Sequence, residues 1–238
     1  MGSQAAAGQP DPAVLLRMTD WASLAHGRGP ARDTPAALAA LLDPDPVTRA
    51  RALDACWEPL RQENTIYSAA VPAALYIAAI LPDPRTRSVG LHGRWGRSPQ
   101  LRSLRAALLD WLGELGTDAD DETAAFFARN HVLGGHPPLS AVRSLRPAFF
   151  TAAAAFLHDA DRDVRHAAVV ATIPFLEAPE LGANQADFVR CARHLLATST
   201  DIYYQARTSD ALIARGVIPR AASETPVETD ISVAELPF

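Results

Sequence analysis

No lysine occurs anywhere in this chain; all 22 basic residues are arginine. That absence excludes Schiff-base lysine chemistry and the phosphate-gripping lysine of a P-loop. Cysteine is scarce: Cys56 and Cys191 lie far apart in sequence and fit no metal-ligand spacing. Aromatic residues reach only 7%, which does not favour a sheet. Long apolar runs are missing too. The run 69–81 has 13 residues and contains Pro72, too short to span a bilayer. No basic region followed by an apolar stretch and a cleavage site opens the chain, so secretion is not signalled. No Gly-x-Ser-x-Gly nucleophile elbow is present.

What is present is ordinary for a globular chain. Of 238 residues, 48% are hydrophobic and 21% charged, enough for a sizeable core in one or two domains. The net charge of −5 argues against a general nucleic-acid binder. Arginine without lysine, with abundant Ala and Pro, points to a high-GC bacterial genome. Residues 1–10 carry no charge and no periodicity and read as a flexible arm. Residues 219–238 hold three prolines, four acids and one arginine, an extended tail of net charge −3.

Between these ends the spacing predicts helices over 46–60, 99–115, 161–175 and 185–197, each with one apolar stripe. Asp45-Pro46, Ser98-Pro99 and Asn184 supply starts and Gly116 a stop. No convincing alternating strand appears. Prolines 59, 72, 147 and 174 lie in or near helices and should kink or end them. Trp57 and Trp111 sit on apolar stripes, as do both cysteines, so burial is expected of all four. Short helices joined by Pro, Gly and Asp turns imply an all-α fold of helix hairpins stacked in series.

The chain also repeats itself. Setting Asp45 on Asp161 places Arg49 on Arg165, Ala52 on Ala168, Ala55 on Ala171 and Leu60 on Leu176. An Asp caps the second helix of each hairpin, an Arg can reach an Asp of an adjacent turn, and Ala permits close approach. A weaker third copy lies at 201–215.

On these residues the chain resembles the HEAT-repeat family of α-solenoids. Asp161, Val164, Arg165 and Ala168 stand in that family's Asp-x-x-Val-Arg-x-x-Ala turn, whereas the 43–55 copy has Thr48 in place of Val. His26, Gly29, Ala31, Asp33, Thr34, Pro35, Gln62, Tyr67 and Ala69 follow the order of an actinobacterial group of HEAT-like proteins. The resemblance covers roughly 20–215. It implies one right-handed α-solenoid of stacked antiparallel helix pairs over 11–218. The group has no settled activity.

Candidate site residues come from two places. The stretch 84–109 contains six arginines and no acid, with Gly90, Gly93 and Gly96 around His92 and Trp95. Glycines let backbone amides approach a ligand, and arginine forks bind carboxylate or phosphate. This suggests a site for an anionic ligand or acidic partner surface, carried by His92, Arg94, Trp95 and Arg97. Alternatively, the six acids and no base of 110–122 neutralise those arginines at a solvated surface. The second place is Tyr203, Tyr204 and Arg207, where an exposed Tyr-Arg pair would suit an interface. If not, one tyrosine packs inside. Among the histidines, His131 and His136 flank Gly134-Gly135 without an evident third metal ligand, and His158 lies in a repeat turn. Neither metal nor cofactor is expected.

Three functions follow. Solenoids expose long concave surfaces, so the first is a cytosolic protein-binding module: a scaffold, an inhibitor or a toxin-immunity-type binder. The second is a HEAT-like DNA glycosylase or self-resistance repair enzyme, for which no local motif is found. The third is a small-molecule enzyme or accessory lyase holding an anionic ligand at 84–109. Membrane partners are not expected.

Overall fold

The computed structural model describes residues 11–62, 65–94, 97–129 and 136–220, and of 93–94 and 97–99 the backbone alone. The arm 1–10, Trp95, Gly96, His131 and the tail from 221 lie outside the described residues.

The chain is mostly helical with little strand. It opens with α1 (Pro12–Met18), a minimal hairpin of β1 (Ala25–His26) and β2 (Gly29–Pro30), then α2 (Thr34–Ala40), α3 (Pro46–Leu60) and α4 (Ala70–Ile80). A second hairpin, β3 (Val89–Arg94) and β4 (Arg97–Ser103), leads into α5 (Leu104–Thr117). Then come α6 (Asp121–Arg129), α7 (Pro137–Ser144), α8 (Arg146–Ala154), α9 (Arg162–Thr172), α10 (Gln185–Thr198) and α11 (Ile202–Ala214). No helix among the described residues is long and apolar enough to cross a membrane.

Aspartate starts these helices. Asp11, Asp45, Asp161 and Asp201 each accept backbone N–H bonds of the first turn of α1, α3, α9 and α11. The paired turns seen in sequence are built alike. Asp45 N–H donates to Asp43 Oδ1 at 2.8 Å, and Asp161 N–H to Asp159 Oδ1 at 2.9 Å. Four residues past each cap, Arg49 donates to the carbonyls of Asp43 and Pro44, and Arg165 to those of Asp159 and Ala160. In the third copy Gln205 takes this place, reaching the Ser199 carbonyl at 2.7 Å. The arginines therefore fold back on the carbonyls of their own turn. Arg105 makes a longer reach, bonding the Leu81 and Asp83 carbonyls and Thr86, and pairing with Asp159 at 3.4 Å.

Residues of the 26–35 and 62–69 segments also come together. His26 Nε2 lies 2.8 Å from Asp33 Oδ1, and Ala69 N–H donates to the Ala25 carbonyl. A Cβ on Gly27 would strike Gln62, and Gly29 holds φ +121° in the tight turn, where side chains are rarely tolerated.

Helix α5 runs through the middle of the core. All of its residues but Glu114 and Thr117 are buried. Its tightest neighbours are α9 and the turn after it: a Cβ on Gly113 would fall 2.6 Å from Ala171 Cα, and one on Gly116 2.6 Å from Phe175. The expected Ala171 approach is thus met by a glycine. Gly116 is an interior contact residue, not a stop, since α5 continues to Thr117.

The structure corrects the expectation of no strand. Val89 pairs Ser103, Gly90 pairs Arg102, Leu91 pairs Leu101, His92 pairs Gln100 and Arg94 pairs Arg97, with an irregularity between His92 and Arg94. The glycines and Pro99 blunt the alternation that would announce it. The helix expected from Ser98-Pro99 consequently begins at Leu104, where Ser103 Oγ accepts from Ala106 N–H. The prolines fall near helix ends: Pro72 and Pro147 in first turns, Pro59 in a last turn, Pro174 just past α9. Both cysteines and Trp57 and Trp111 are buried as expected.

The close α5–α9 approach generates a prediction. Gly113→Ala, a helix-favouring change on an exposed site, should here lower stability by about 1–3 kcal/mol, because the new methyl meets backbone. A urea midpoint shifted down at unchanged slope would show it.

Candidate functional site

Asp110 and Glu114 on α5 and Asp118 at its C-cap recur every four residues along one face. Facing them are Arg102 at the end of β4, Arg61 after α3, and the first two turns of α11. Arg102 Nη1 donates to Asp110 Oδ2 at 2.5 Å and Nη2 to Tyr204 Oη at 2.8 Å, while that hydroxyl donates to Asp110 Oδ1 at 2.8 Å. The three groups close a ring, and all three residues are buried. One turn along, Tyr203 donates to Glu114, whose other oxygen lies 3.5 Å from Arg61. Arg61 Nε donates to Asp118 Oδ2 at 2.6 Å. Arg207 donates to Thr117 Oγ1 at 2.7 Å.

Burial and charge compete along this seam. Burial opposes the Arg102 cation, yet the Asp110 charge prevails and raises its pKa. Burial raises the Asp118 carboxyl in spite of Arg61. Burial, then the Glu114 charge, push the Tyr203 phenol up, so it remains a donor.

His92 lies on the inner face of the hairpin, its ring over Gly90, where a Cβ would come within 3.1 Å of Nε2. It is 4% exposed, and neither ring nitrogen has a hydrogen-bond partner among the described residues. Burial, then the charges of Arg102 and Arg49, lower its pKa to about 4. The opposite hairpin face holds Val89, Leu91 and Leu101, exposed by 56, 65 and 71%. A cavity of about 290 Å³ opens beside β4, lined by Arg102, Arg162, His166, Asp201 and Tyr204 among others.

The two sequence-predicted sites are thus neighbours, joined by Arg102. Tyr204 is buried rather than exposed, and Tyr203 and Arg207 are half-buried with partners inside the chain. His92 faces inward. Arg94 and Arg97 are paired at the hairpin tip, and Trp95 lies outside the described residues. Neutralisation of 84–109 by 110–122 holds for Arg102 with Asp110. Among the described residues other pairs go elsewhere: Arg85 to Asp83, Arg105 to Asp159, Glu114 and Asp118 to Arg61, and Asp121 to Arg143 and Arg146. Sequence reasoning counted Asp110 among the neutralising acids without making it a site residue, and missed Arg61. Their signal was the four-residue spacing of acids on an otherwise apolar helix.

Two outcomes are expected. Tyr204→Phe should cost about 1–3 kcal/mol, since both Asp110 and Arg102 lose a buried partner; denaturant unfolding measures it. For His92, the folded pKa lies below the ordinary 6.5. Between these values the unfolded chain binds a proton that the folded chain does not. Stability should therefore fall as pH drops from about 6.5 to about 4, with a shallower fall in His92→Gln, read from melting temperatures across that window. Comparison with known proteins returned no matching family model, no matching curated protein and no matching solved structure.

Proposed function

We propose that this chain is a protein-interaction module, a HEAT-like α-solenoid whose hairpin 89–103 docks an acidic segment of a partner protein bearing apolar side chains. The observation that carries the reading is the outer face of that hairpin. Val89, Leu91 and Leu101 stand together on it with more than half of each exposed. Soluble chains seldom leave such a cluster bare without a partner for it. Each strand has one edge with no strand neighbour among the described residues, a template for an added strand.

Charge selects the partner. The stretch 84–109 holds six arginines and no acid; Arg102, Arg105 and Arg85 are paired internally, and Arg87 is exposed near the base. An acidic partner complements that set. The solenoid half of the reading is supported by the matched turns at Asp45 and Asp161. The docking surface moves from the expected concave face to the hairpin. The glycosylase and anionic-ligand readings draw on the same arginines, and are weakened by the internal use of Arg102 and Arg105.

Affinity capture from the host, using the whole chain and a Leu91→Glu/Leu101→Glu variant, tests this. A stoichiometric, salt-sensitive partner should be held by the native chain and lost by the variant at unchanged melting temperature. A partner held equally by both, or none at all, overturns it.

A further inference from the structure

His158, Asp187 and Cys191 come together from two elements. Asp187 and Cys191 are four apart on α10 and share a face; His158 lies in the turn between α8 and α9. His158 Nε2 is 3.6 Å from Asp187 Oδ1, and Cys191 Sγ is 3.9 Å from the same oxygen. The three ligand atoms all lie within 4.8 Å of one another. Around a tetrahedral zinc, with bonds of about 2.0–2.3 Å, neighbouring ligand atoms are about 3.3–3.8 Å apart. The two measured pairs are therefore close to ligating separation. Closing the third takes about 1 Å at most. His158 is exposed and can rotate to do so, while Cys191 is buried and fixed by α10.

We infer that His158, Asp187 and Cys191 form a binding site for a single borderline-soft divalent cation of the zinc class. A thiolate, an imidazole and a carboxylate together select zinc over magnesium or calcium, which take oxygen ligands. Arg190 donates to that same Asp187 Oδ1, so ligation through this oxygen displaces the Arg190 cation, whose exposed side chain can swing into solvent. His158 and Cys191 also line a cavity of about 480 Å³, together with Arg165, His166 and His194. Three protein ligands beside a cavity leave a fourth position for water or a small ligand, the pattern of a reactive metal site rather than a closed structural one. The expectation of no metal rests on the His131–His136 loop and on cysteine spacing. Neither bears on a ligand set drawn from a turn and a helix.

The test uses the full chain, stripped with chelator and titrated with Co²⁺, then Zn²⁺. One Co²⁺ per chain should bind with a thiolate-to-cobalt absorption band, displaced by one equivalent of Zn²⁺. The band should vanish in Cys191→Ser and persist in Cys56→Ser. Affinity should drop at least about tenfold in His158→Ala, whose circular dichroism should match the native chain. Because His158 is exposed, that variant reads the site without threatening the core. Uptake without the band, a band surviving Cys191→Ser, unchanged affinity in His158→Ala, or no uptake at one equivalent overturns the inference.

Discussion

The burial of α5 together with its acidic face is the constraint from which much of the rest follows. A carboxylate withdrawn from water costs several kcal/mol unless it is paired and hydrogen-bonded. Asp110 and Asp118 are buried, and Glu114 is only partly open. Each needs a donor from outside the helix. The donors arrive from three directions: Arg102 from the hairpin, Arg61 from the end of α3, and two tyrosines from α11. Neutralising one helix thus fixes the positions of three other elements. On a flanking side α5 approaches α9 so closely that a Cβ at Gly113 would meet backbone. Apolar contact fixes one side and charge pairing the other.

The absence of lysine has a structural counterpart. Arg49 and Arg165 each bridge two carbonyls of a turn with one guanidinium nitrogen. Arg105 serves two carbonyls, a hydroxyl and a carboxylate, and lies 4.9 Å over the Phe156 ring. Arg146 joins Asp121, Glu177 and the Ala119 carbonyl. A planar fork with five donors can satisfy such sets, whereas a compact ammonium has three donors and a stronger hydration shell. Arginines that look like an anion site in sequence are, in part, the internal ties of a helix array. Arg102 and Arg105 belong to that class. Arg87 is exposed, and Arg94 and Arg97 lie at the hairpin tip.

Legibility in the sequence followed the range of the interaction. The helix at 46–60 was readable to the residue because Asp45, Pro46 and the apolar stripe are local signals, and 185–197 nearly so. The paired turns were readable because cap and arginine are four apart. The hairpin was not: Gly90, Gly93, Gly96 and Pro99 are poor strand residues, and what holds it is tertiary. Leu104 N–H reaches back to the Ser88 carbonyl, and Arg102 is tied to α5 and α11. At the site, Tyr204 looked like a surface contact because its partner Asp110 is 94 residues away in the chain. The His158–Asp187–Cys191 set was half legible, since the four-residue step on α10 can be read and the turn packed beside it cannot.

The two faces of the hairpin have different reasons to exist. A two-stranded sheet is marginal on its own, so its fold is borrowed from whatever it packs against. The inner face supplies that, with His92 over Gly90 and Arg102 in its ring of partners. Even there the packing carries a cost, because His92 is buried without a hydrogen bond among the described residues and is pushed toward neutrality. The outer face contributes little to folding, since Val89, Leu91 and Leu101 remain mostly in water. Polar residues there would serve the isolated chain as well and lower the hazard of an open strand edge. An apolar cluster that gives the free chain so little has its physical rationale in the bound one.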